Sequence, residues 1–158
     1  EIDAELRAQI RLAQKKGVNV QYLDTHYLTA SNDTYPGLGD LIRKIAADFD
    51  LPLSGTFGER EFGIYETPVS QKLSEAVEGV REMSPGLWLW VCHPAIDSPE
   101  QRALIHSRPE HIQEGGGVGV HRAKVLDVLR SIEVRSMILK KRIRLTDYTE
   151  IWATEKQK

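Results

Sequence analysis

The chain has 158 residues, 41% hydrophobic and 28% charged, with a formal net charge of −2. This composition suits one globular domain with a real core and is short for a complete eight-stranded barrel. The near-neutral charge offers no broad attraction to nucleic acid, and no apolar run reaches the ~18 residues of a membrane-spanning helix, so neither is an expected partner.

The chain enters a helical pattern at once, with Ile2, Leu6, Ile10 and Ala13 on one face. Lys15 and Lys16 make a cationic last turn before Gly17 stops the helix. Residues 18–23 read as a strand that runs into Asp24-Thr25-His26. A second helix follows Pro36-Gly37, because Leu38, Leu41, Ile42, Ile45 and Phe49 recur at helical spacing. Residues 51–53 read as a short second strand, and 54–67, with three glycines, as a long loop.

A third helix is expected over residues 68–83, with proline at its start. After the Pro85-Gly86 turn, residues 87–92 are apolar on both alternating faces, as in a parallel strand covered on both sides. That strand ends in His93-Pro94. Two further helices are expected over 120–131 and 134–142, then a short strand at 143–145 and a last helical turn opened by Thr146-Asp147. The alternation of helices and strands argues for βα units and a parallel sheet, an α/β fold. One domain over 1–158 is expected, either a small open sheet or part of a barrel.

In such folds ligands bind at the carboxyl ends of the strands. His26 and His93 both fall there. Imidazole titrates near neutral pH and ligates metals, so two at one rim can divide those roles between them. Asp24 lies two residues before His26 and shares its face on an extended strand; it is placed to orient His26 or to contact a substrate hydroxyl or bound water. From spacing alone, a hydrogen-bonded structural role competes with each of these. A catalytic metal takes three protein ligands as a rule, and no complete set is visible.

The other candidates have plainer readings. His106, His111 and His121 are expected at the surface. Gly115-Gly116-Gly117-Val118-Gly119 follows no predicted strand and lacks the lysine of a phosphate loop, so a flexible connection is expected. Arg135, Lys140, Lys141, Arg142 and Arg144 lie near Glu133 and read as a solvated helix face rather than a nucleic-acid surface. Cys92 is the only cysteine, so no internal disulfide forms, and a reducing, cytoplasmic setting is expected. In its apolar strand it reads as core rather than nucleophile.

At these residues the chain resembles a known family. Gln21-Tyr22-Leu23-Asp24-Thr25-His26 resembles the strand ending in Asp-Ser-His of the YdjC-like carbohydrate deacetylases, including the chitooligosaccharide deacetylases. Glu5-Leu6-Arg7-Ala8-Gln9-Ile10 looks like the family helix with its Glu-Leu-x-x-Gln pattern. Pro85-Gly86 and residues 87–94 look like its turn, hydrophobic strand and Cys-His-Pro signature. Arg122, Leu126, Leu129 and Ser131, then Ile143-Arg144-Leu145-Thr146-Asp147-Tyr148, resemble its closing elements.

The resemblance implies a divalent-metal-dependent hydrolase that removes acetyl groups from N-acetylated sugars on a barrel-like, TIM-barrel-related fold. By matching positions, His26 is implied as a metal ligand and His93 as the catalytic general acid. Asp24 is implied as a neighbouring residue behind the metal ligands or against the substrate, and magnesium or zinc as the metal. Because Glu1 matches a mid-chain helix of the family, the sequence is expected to be the C-terminal part of a longer barrel-like domain. The paired aspartates and upstream histidine of the preceding segment would supply the other ligands. A homodimer, or that segment, is the expected partner. The alternatives are a non-catalytic carbohydrate-binding or scaffolding domain of the same fold, and a different metal-dependent hydrolase.

Overall fold

The computed structural model describes residues 1–25, 35–106 and 116–157. Their contacts divide into two compact units, Glu1–Gly58 with Leu145–Lys158, and Glu59–Arg144.

In the first unit, helix α1 (Ile2–Lys15) and helix α2 (Leu38–Asp48) pack together. Ile10, Ile45 and Leu51 form one buried cluster, and Ile42, Ala46 and Leu53 form a second. Leu6 and Leu23 pack against both. Of these, Leu6, Ile10, Ile42 and Ile45 are positions that the helical spacing of the two segments brings to one face. Arg7 bridges the helices, its guanidinium 2.7 Å from Asp3 and 2.6 Å from Asp48. The expected strands at 18–23 and 51–53 reduce to one parallel bridge between Leu23 and Leu53. The Leu23 N–H donates to the Pro52 carbonyl at 2.9 Å, and the Leu23 carbonyl accepts from Ser54 N–H at 3.0 Å.

In the second unit, strand β1 (Arg60–Gly63) pairs in parallel with strand β2 (Trp88–Val91), in the register Arg60 to Trp88 through Gly63 to Val91. The connection runs through a 3₁₀ turn, Val69–Gln71, and helix α3 (Lys72–Glu82), making one βαβ unit. Helix α4 (Pro99–Arg102), helix α5 (Gly117–Arg130) and helix α6 (Ile132–Lys140) follow. The core holds Ile64, Ala76, Val125, Val128 and Val134, with Phe62, Trp90 and Cys92 packed against it. Arg60 pins the turn into β2: its guanidinium lies 4.5 Å over the Trp88 ring and donates to Ser84 Oγ and the Pro85 carbonyl. Helix α7 (Tyr148–Glu155), capped by the Asp147 side chain, belongs to the first unit.

The parallel, helix-connected pair is the βα arrangement expected, in a chain that is otherwise mostly helical. Three local expectations are corrected. The supposed loop over 54–67 contains β1, which alternation could not reveal because only Phe62 of its four residues is turned inward. Residues 143–145 form no strand: Arg142 adopts a left-handed φ of 54°, and Ile143 N–H bonds back to the Ile138 carbonyl, closing α6. Gly117-Val118-Gly119 is not a flexible connection but the first turn of α5.

Candidate functional site

His93 lies two residues beyond the end of β2, half-buried, at the carboxyl edge of the parallel pair. The position follows from the strand itself. The ladder runs through Val91, paired with Gly63, and Pro94 after His93 supplies no donor that could extend it. Tyr65 occupies the same place beyond β1. Its ring meets the His93 ring at 5.1 Å between centroids and 72° between planes, an edge contact. The His106 ring packs on the same tyrosine at 5.9 Å. Beyond His93, Ala95 N–H donates to the Arg122 carbonyl at 3.2 Å, tying the edge to α5.

Behind this edge lies a buried cation. Lys72, at the start of α3, is fully enclosed, and its Nζ donates to the carbonyls of Ile64 at 2.5 Å and Tyr65 at 2.8 Å. A lysine buried so completely requires such acceptors, because an uncompensated ammonium in an apolar interior is very costly. The clamp fixes the backbone on which Tyr65 is mounted.

Asp24 lies in the first unit, directly after the Leu23 bridge, with its carboxylate exposed and accepting a hydrogen bond from the Ser54 hydroxyl. With Thr25 and Gln9 it gives polar lining to a cavity of 540 Å³ whose walls are otherwise mostly apolar, among them Leu6, Ile10 and Ile42. His26 and His111 lie outside the described residues. Among the described residues, no three histidine, cysteine, aspartate or glutamate side chains gather as a metal site.

Two sequence readings meet different outcomes. Cys92 packs against the core, and burial pushes its thiol up to about 11, the behaviour of a structural cysteine rather than a nucleophile. His121 is not a surface residue; it is fully buried on α5. The signal was present, since Val118, His121, Val125 and Val128 recur at helical spacing on one face. Tyr65 and Lys72 carried no sequence signal without knowledge of β1. None of the helices among the described residues is long and apolar enough to cross a membrane.

No curated protein matches the chain. The family model described as YdjC-like protein matches residues 1–140. The chain therefore belongs to the YdjC-like protein family, which points to a function related to carbohydrate deacetylation, with a sugar as substrate and usually a metal as cofactor.

Proposed function

We propose that the protein is a metal-dependent carbohydrate deacetylase, which hydrolyses the acetamide of an N-acetylated sugar and releases acetate. The observation that carries this reading is the placement of His93, half-buried at the carboxyl edge of a parallel βαβ unit in a chain of this family. On this reading the whole chain belongs to one barrel-like α/β domain.

In the reaction, His93 in its imidazolium form donates a proton to the leaving amine nitrogen as the carbon–nitrogen bond breaks. An amine anion is a very poor leaving group, so a positioned acid contributes about 10²–10⁴-fold. The edge of the sheet suits proton donation, because the imidazole is partly shielded by Tyr65 yet open enough to meet a sugar. Asp24, its carboxylate oriented by the Ser54 hydroxyl, contacts a sugar hydroxyl or stands behind the metal ligand. His26 is the ligand assigned to a divalent metal, magnesium or zinc. When bound, such an ion polarises the acetamide carbonyl and acidifies a water. The described side chains do not by themselves assemble three ligands, and the roles assigned to this chain are those of His93 and its neighbours.

A non-catalytic carbohydrate-binding or scaffolding role on the same fold is the second reading, favoured by that lack of a three-ligand group among the described residues. One experiment separates the two. Incubating the protein with an N-acetylated chitooligosaccharide, with magnesium and with zinc, should release acetate. Binding of the sugar without acetate release under either metal would support the second reading instead.

A further inference from the structure

A general acid at His93, the reading on which this inference rests, needs a residue to place it. Along the parallel pair Gly63 stands opposite Val91. Continuing both chains by two residues sets Tyr65 beside His93, and their rings meet edge-on at 5.1 Å. The neighbourhood is therefore a consequence of strand register, not a chance contact of loops.

Tyr65 is itself held from behind. Ile64 is locked in the core, and the buried Lys72 ammonium grips the carbonyls of both Ile64 and Tyr65. A histidine just past a strand end has two rotatable side-chain bonds, and its backbone narrows their staggered choices without fixing a single one. A ring packed edge-on against it narrows that choice further. The same tyrosine also carries the His106 ring, so it is the shared neighbour of two imidazoles at this edge. We propose that Tyr65 is a positioning residue that holds the His93 imidazole in line for proton transfer, with Lys72 as its anchor. The tyrosine acts through the body of its ring, so phenylalanine should replace it and leucine should not.

The test compares Tyr65→Phe, Tyr65→Leu and His93→Gln in the full chain. Two readouts are needed: the His93 ring resonances by NMR, and kcat and KM for acetate release from an N-acetylated chitooligosaccharide. Tyr65→Phe should keep both near the parent values. Tyr65→Leu should abolish the ring-current displacement of the His93 resonances. It should also lower kcat by about 10–100-fold, as expected for a displacement near 1 Å, with KM changed by less than about twofold.

Unmoved His93 resonances or a parental kcat in Tyr65→Leu would overturn the proposal. So would a loss in Tyr65→Phe equal to that in Tyr65→Leu, because the hydroxyl would then be the working group. If His93→Gln keeps the parental kcat, it is the acid reading that fails. If His93→Gln is impaired while Tyr65→Leu is not, only the positioning role falls. Should the protein release no acetate, the NMR comparison still decides the contact.

Discussion

Replacing Lys72 by methionine removes the buried ammonium while keeping most of the unbranched stem in place. The Ile64 carbonyl, in the core, then loses its partner completely; the Tyr65 carbonyl, on a half-buried residue, recovers part of its hydration. Hydrogen bonds to a charged group contribute about 1.5–3 kcal/mol each, net of exchange with water. Counting the first in full and the second by half gives a destabilisation of about 2–4 kcal/mol. The relief of the ammonium's own desolvation opposes this and makes the figure an upper bound. Urea unfolding followed by circular dichroism reads the effect. With a slope of about 2 kcal/mol per molar, typical of small domains in urea, the midpoint should fall by up to about 1–2 M at unchanged slope. A midpoint that stays the same or rises would mean that the desolvation penalty outweighs the two carbonyl bonds and that Lys72 is no anchor.

Other positions give sharp expectations. A Cβ built on Gly119 would stand 2.9 Å from the backbone of Gln101 and Arg102, so α4 must move; against a propensity gain of about 1 kcal/mol and an overpacking cost of about 1–3 kcal/mol, Gly119→Ala should destabilise, measured as a lower urea midpoint. Ser131 caps α6, its Oγ accepting from Val134 N–H at 3.3 Å. Ser131→Ala should cost about 1 kcal/mol and lower Tm by about 2–4 °C. Burial raises the Cys92 thiol from 9.0 to about 11, so alkylation at pH 8 should run about 100-fold slower than for a free cysteine, since the thiolate is the nucleophile. Folding favours the neutral thiol: its contribution to stability is complete below about pH 9 and lost as pH rises towards about 11. A thiol that reacts at the free rate in the folded protein would contradict this.

The legible parts of the fold were those with strong local periodicity. Helices α1 and α2 show apolar residues at helical spacing and lie where that spacing places them, and α3 falls inside the segment that Pro68 opens. Strand β2 is announced by its continuous apolar run. Strand β1 was hidden because Arg60, Glu61 and Gly63 are exposed, so its pairing is a backbone event directed by β2 and the packing of Phe62. The same gap hid the edge of the candidate site. His93 was legible as a residue beyond a strand, whereas Tyr65 is its neighbour only through a register that no local pattern encodes. His121 is hidden for a different reason: the polar, glycine-rich segment before it masks the apolar stripe of Val118, Val125 and Val128 that it shares on α5. For the glycines at 117 and 119, local composition favoured a loop, but α5 passes so close to the backbone at Gln101 and Arg102 that a side chain at 119 has no room.

Acetate release from an N-acetylated chitooligosaccharide by the parent protein and by His93→Gln, with magnesium or zinc present, decides whether this chain is a deacetylase with His93 as its acid. The parent should turn over, and the variant, folded by circular dichroism, should lose about 10²–10⁴-fold in rate. Equal rates in parent and variant would contradict the assignment of His93 as the acid.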